Sequence, residues 1–112
     1  MANTTFTGPV ISQNGFIAGT GSATITKVLT ASASLNFPSI SAASQADLTI
    51  TVAGAATGDE VIMALPASPA AGLVFNAFVS AANTVTVRAS NITGSPVDPA
   101  SASYGVIVIN AA

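Results

Sequence analysis

The clearest alternation of apolar and polar positions lies in "ADLTITV" (46–52). Leu48, Ile50 and Val52 fall on one face and Asp47, Thr49 and Thr51 on the other. Side chains of an extended chain point alternately to opposite faces, so this period of two predicts a half-buried strand. "TVTVRAS" (84–90) repeats the pattern, with Val85 and Val87 inward and Arg88 outward. In "ASLNFPS" (33–39), Ala33, Leu35 and Phe37 share a face opposite Ser34 and Asn36. Four further strands are predicted at "ATITKVLT" (23–30), "EVIMAL" (60–65), "LVFNAFVS" (73–80) and "YGVIVI" (104–109), all rich in β-branched or aromatic residues.

The segments between them carry turn residues. "SISAASQ" (39–45), "AGAATG" (53–58) and "PASPAAG" (66–72) read as loops, and "SAAN" (80–83) as a short hairpin link. "NITGSPVDPASAS" (91–103) is a long loop. Within it, Asp98-Pro99 predicts a short helical turn with Asp at the N-cap and Pro at the first helical position. No segment combines a helical apolar period with caps. Seven short strands at fairly regular spacing predict an all-β fold, a single β-sandwich of jelly-roll or Ig-like type over residues 22–112.

Two of the strands are apolar on both faces. In 73–80, Leu73, Phe75, Ala77 and Val79 oppose Val74, Asn76 and Phe78; in 104–109, Val106 and Val108 oppose Ile107 and Ile109. In a sandwich only the inner faces meet the core. Val74, Phe78, Ile107 and Ile109 are therefore candidate contacts with a neighbouring subunit, the alternative cover being the N-terminal segment folded over the sheet.

Residues 61–79, "VIMALPASPAAGLVFNAFV", approach the length and hydropathy of a membrane span. Pro66 and Pro69 stand in the middle, where each disfavours a helix interior by about 3 kcal/mol, and no Lys or Arg cluster flanks either end. Two strands and a loop fit better than a membrane helix.

Residues 1–21, "MANTTFTGPVISQNGFIAGTG", differ from the rest. Gly8, Pro9, Gly15, Gly19 and Gly21 interrupt any regular element, yet Phe6, Val10, Ile11, Phe16 and Ile17 are spaced apolar anchors. The segment is either an extended arm that docks elsewhere or an edge strand of the same domain. It has neither the basic start nor the apolar core of a signal peptide, so a protein made and used in a cytoplasm, or assembled there into something larger, is expected.

Composition narrows the partners. Of 112 residues, half are hydrophobic and 5% are charged, against about 25% charged in ordinary domains. Ser, Thr and Asn supply the polarity, as suits a subunit covered by neighbours better than a lone monomer. The net charge is −2, with Lys27 and Arg88 the two cations. Phosphate backbones and anionic membranes need several cations, so neither nucleic acid nor a membrane is an expected partner.

The chain has no His and no Cys. That removes the usual general base, the usual metal ligand and the partners of a Ser or Cys triad, so no catalytic residue and no cofactor is expected. Asp47, Asp59, Glu60 and Asp98 fall at strand ends or in loops, and no loop resembles a calcium site. A lectin reading is weak, with no Trp and a single Tyr. The pairs Thr24/Thr26, Thr49/Thr51 and Thr84/Thr86 are too irregularly spaced to stack as an ice-binding array and read as outward strand positions. Asn3 and Asn91 begin N-x-[ST] matches that read as chance. Arg88 is expected to pair with Asp98 or Asp59, tying the long loop or a strand start to the sheet.

The stretch 58–109 resembles a β-sandwich segment of virion proteins of tailed bacteriophages, especially those of cyanobacteria. The resemblance lies in Gly58-Asp59, the run from Val79 to Arg88, "NITGSPVDPAS" and the closing Tyr-x-Val-x-Val-type strand. "ANTTFTGPVISQNGF" (2–16) is similar to the start of head decoration, or cement, proteins of such phages; the middle, 22–57, adds little. The resemblance implies a non-enzymatic structural protein on the capsid exterior that bridges major capsid protein subunits, as a homotrimer. It implies that residues 1–21 form a capsid-docking arm, with Phe6, Pro9, Val10 and Phe16 as its anchors. The rival expectations are a tail or fibre component binding a host surface and, more remotely, a secreted pilus-type subunit.

Overall fold

The structure, a computed structural model, describes residues 3–111. Seven strands follow in order: β1 (Phe16–Ile17), β2 (Thr24–Leu35), β3 (Gln45–Thr51), β4 (Glu60–Ala64), β5 (Leu73–Ala81), β6 (Thr84–Asn91) and β7 (Ala102–Ala111). They form two antiparallel sheets, β1-β2-β7-β4 and β3-β6-β5. The fold is all-β, and the described residues contain no helix. The two sheets face each other across one core, as a β-sandwich.

Side-chain alternation sorts the core. Ile50 and Val52 from the β3 end, Val85, Val87 and Ala89 from β6, and Tyr104, Val106 and Val108 from β7 are all buried. Phe37, just past the end of β2, joins Phe75 and Tyr104 in an aromatic trio with ring centroids 5.5–6.0 Å apart. Edge-to-face and tilted rings at this spacing add about 0.5–1.5 kcal/mol per pair beyond their buried area.

Most connections change sheets; β1–β2 and β5–β6 are the pairs that stay within one. The β5–β6 hairpin turns through Ala82 and Asn83, with a bulge between Val79 and Ala81. Asn83 adopts φ 61°, the left-handed conformation that Asn tolerates well. Its side chain accepts a hydrogen bond from Gly54 N–H at 2.8 Å, and its N–H donates to Ala55 O at 2.9 Å. The hairpin is thereby tied to the β3–β4 turn.

Three expectations change. The predicted strand 23–30 and the start of the predicted strand 33–39 are one continuous strand, β2, because "ASA" (31–33) contains nothing that breaks an extended chain; residues 36–39 lie past its end and form no strand. Its long partner β7 pairs with it from Leu35↔Ala102 to Ile25↔Ala111. Residues 91–103 contain no helical turn at Asp98-Pro99; Val97 instead exchanges backbone hydrogen bonds with Ile40 at 2.8 and 2.9 Å, and this bridge holds the loop extended. Ile40, placed in a loop by sequence, is buried in the core. In the N-terminal segment, Phe16 and Ile17 form the short edge strand β1 on β2, while residues 3–15 form no strand. Residues 61–79 hold most of β4, a loop and most of β5, and no helix long and apolar enough to cross a membrane occurs among the described residues.

Candidate assembly surfaces

The outer face of the four-stranded sheet is built by the residues that alternate with the core. In β7, burial of Tyr104, Val106 and Val108 turns Ile107 and Ile109 outward. The register sets Ile109 opposite Val28 of β2 and Ile107 opposite Ile62 of β4. Val28 is 64% exposed and Ile62 54%. The four side chains make an apolar patch across three strands, with Thr30, Glu60 and Ser32 around it. Beside the patch, Gly105 has no side chain to fill its position. A shallow depression of about 260 Å³ results, lined by Thr30, Ser32, Ile62, Ala64, Gly105 and Ile107 among others.

The opposite outer face, on the three-stranded sheet, is more polar. Val74 stands 51% exposed opposite Ser90, and Phe78 stands opposite Thr86. Between them Arg88 occupies the middle of the face. It forms a bidentate pair with Asp47, Nε to Oδ1 and Nη2 to Oδ2 both at 2.9 Å. Its guanidinium also lies 5.2 Å from the centre of the Phe78 ring. The pair holds the Asp47 carboxyl below its ordinary range and raises the pKa of Arg88, in both cases chiefly through the hydrogen bonds between them.

The expected pairing of Arg88 with Asp98 or Asp59 is corrected by this geometry. Asp47 lies directly opposite Arg88 in the β3–β6 ladder and is the nearer partner. Asp59 is engaged elsewhere, accepting from the Asn110 amide and from Ala56 N–H. Those two bonds, and secondarily the charge of Lys27, lower its pKa.

Val74, Phe78, Ile107 and Ile109, singled out as one interface set, lie on two faces that point away from each other. One partner cannot cover all four as a single patch. Val28 and Ile62, which complete the patch around Ile107 and Ile109, were missed. Ile62 was legible from alternation in "EVIMAL", since inward Val61 and Met63 leave it outward. The neighbourhood of Val28 was not, because it depends on which strand lies beside β7.

The N-terminal anchors are all solvent-facing: Phe6 is 68% exposed, and Val10 and Phe16 62% each. A turn at Gln13–Asn14 folds the segment back so that Phe6, Val10 and Phe16 flank an open groove of about 450 Å³ against Ile25 and Val28. Pro9 is exposed beside them.

The loops are organised by Asn91, 2% exposed at the end of β6. Its side-chain amide donates to Ile40 O at 2.9 Å, Ser95 O at 2.8 Å and Ser41 O at 3.3 Å. Its side-chain oxygen accepts from Thr93 N–H and the Thr93 hydroxyl. This amide joins the 40–41 segment to the 91–97 loop and is fully engaged, so Asn91 is a structural hub and no glycan acceptor.

A cleft of about 280 Å³ lies between the loops 66–70 and 98–102, floored by Tyr104, whose pKa burial raises. Prolines and alanines make most of its walls, with Asp98 and Ser68 at the side. No group of three or more acidic, His or Cys side chains converges to hold a metal among the described residues. Compared with protein-family models, curated proteins and solved structures, the chain matches none. Its function has to be read from its own residues.

Proposed function

We propose that the protein is a structural virion subunit that decorates and stabilises the outside of a phage capsid by bridging major capsid protein subunits, acting as a homotrimer and performing no catalysis. The observation that carries an assembly role is the apolar patch of exposed Val28, Ile62 and Ile107 with half-buried Ile109 among them. An apolar patch with a polar rim favours contact with another protein. Burial of each such side chain contributes about 1.5–3 kcal/mol, so a few suffice for a contact that becomes durable when several subunits engage one lattice. The 5% charge content agrees with a chain whose surface is largely covered in its working state. The capsid as the specific lattice comes from the resemblance carried by residues 2–16 and 58–109.

Cosedimentation with heads of the source phage, stripped of their own decoration, tests this reading. Saturable binding by the full chain, weakened at least tenfold by Ile62→Asp with Ile107→Asp, is the expected result. Absence of binding by the unaltered chain overturns it and favours a tail or fibre component.

A further inference from the structure

Of the asparagines in the chain, Asn14 alone is followed by glycine. Asparagine is a chemically labile residue. Its side-chain carbonyl carbon is open to attack by the backbone nitrogen of the next residue, which closes a cyclic imide. A side chain on that next residue hinders the approach, and glycine has none.

The fold requires glycine at this position. Gly15 has φ 96°, and a Cβ there would meet Thr24 Cγ2 at 2.6 Å and Ile25 O at 2.7 Å. β1 begins at the next residue, with Phe16 opposite Ile25. The unhindered amide after Asn14 is thus a consequence of bringing β1 close against β2.

The surroundings leave this amide available. Asn14 sits in an exposed turn with Gln13, and no described hydrogen bond engages its side chain. The Gly15 N–H makes no close backbone hydrogen bond, while the Ser12 hydroxyl donates to Gly15 O and holds the turn closed. β1 is two residues long at a sheet edge, so this segment opens more readily than the core strands. Other asparagines are held: the Asn91 amide is fully engaged, Asn110 donates to Asp59, and Asn83 accepts from Gly54 N–H.

We propose that Asn14-Gly15 is a site of spontaneous backbone rearrangement, and that its isoaspartyl product detaches β1 from β2. Solvent hydroxide removes the Gly15 N–H proton, and the nitrogen attacks Asn14 Cγ. The side-chain nitrogen leaves as ammonia and the cyclic imide remains. Water then opens the imide at either carbonyl. Opening at Cγ gives aspartate. Opening at the backbone carbonyl gives isoaspartate, in which the main chain runs through Cβ and Cγ and the former backbone carbonyl becomes a free carboxylate. The main chain gains a methylene, and a chain of net charge −2 gains a further negative charge. Gly15 is already packed against Ile25 O, so the lengthened turn cannot keep Phe16 and Ile17 in register. The segment ahead of β2 is released as the subunit ages. The inference does not rest on the capsid reading.

The full chain, incubated for days in mildly alkaline buffer, is mapped by peptide mass spectrometry. Conversion at Asn14 is expected to run at least tenfold faster than at any other asparagine, with aspartyl and isoaspartyl forms resolved by electron-transfer fragmentation. Asn14→Gln, which must close a larger ring, is expected to stay unconverted. Conversion at Asn14 no faster than elsewhere overturns the site. Hydrogen exchange of the separated isoaspartyl form then reads β1. Its Phe16 and Ile17 amides are expected to exchange faster than in the fresh chain. Asn14→Asp, which carries the charge on an unaltered backbone, is expected to match the fresh chain. Unchanged exchange in the isoaspartyl form overturns the release, and equal acceleration in Asn14→Asp overturns its attribution to the lengthened backbone.

Discussion

Arg88 and Asp47 face each other across the β3–β6 ladder and meet in a two-bond pair, both contacts at 2.9 Å, with the guanidinium over Phe78. The cation therefore serves the sheet surface and has no part in anchoring the 91–103 loop. Arg88→Ala is expected to lower the melting temperature slightly, since both partners are well exposed and such pairs are screened by water and salt. It also uncovers more of Phe78. Thermal unfolding at low and high salt checks this, with the difference between variant and parent shrinking as salt rises.

Acid sensitivity follows from Asp47 and Asp59. Both have folded-state pKa values below the ordinary 3.8, Asp47 through its hydrogen bonds to Arg88 and Asp59 through those from Asn110 and Ala56. The unfolded chain then takes up protons before the folded one does. Their stabilisation is complete above the unfolded value and is lost as pH falls through the lower folded values. The melting temperature should drop as pH falls below about 4, and less steeply in Asp47→Asn/Asp59→Asn. Equal slopes for parent and variant would refute the assignment.

Asn91→Ala removes a buried amide that serves three carbonyls and two Thr93 donors. The expected loss is about 2–4 kcal/mol, the size of several unmet buried hydrogen bonds after partial relaxation. Asn91→Asp should be worse at neutral pH, because it turns a carboxylate oxygen toward the carbonyls of Ile40 and Ser95. Urea unfolding of the two variants gives the order directly.

Phe37→Ala should cost about 3–5 kcal/mol, since it empties the centre of the aromatic trio from a fully buried site. Tyr104→Phe should cost less than about 1 kcal/mol, because the ring packing is kept and no side-chain hydrogen bond is described for its hydroxyl. A large loss for Tyr104→Phe would mean that the hydroxyl has an essential partner in the loop cleft.

The two outer faces should respond differently to charge. Ile62→Asp with Ile107→Asp falls on the continuous apolar patch and should abolish assembly on a partner surface. Val74→Asp with Phe78→Asp falls beside Arg88 on the polar face and should reduce it far less. Native mass and cosedimentation of the two pairs of variants separate the faces; identical behaviour would argue against a one-sided contact.

Alternation along the chain was enough to place the all-β fold and the core positions Leu35, Phe37, Ile50, Val52, Val85, Val87, Val106 and Val108, all of them buried. It also marked the outward apolar side chains of β5 and β7. These are properties of the chain's own period of two, which any extended segment displays before it meets a partner. The pattern does not say which strand lies beside which. Only the sheet order put Val28 and Ile62 next to Ile107, separated that patch from Val74 and Phe78, and set Asp47 rather than Asp98 opposite Arg88. It also turned an unremarkable Asn91 into the amide that joins two loops, because its partners at 40–41 come from a distant part of the chain. Side-chain periodicity is local and survives in the sequence; neighbourhood across a sheet is set by pairing between residues tens of positions apart, which the folded chain alone establishes.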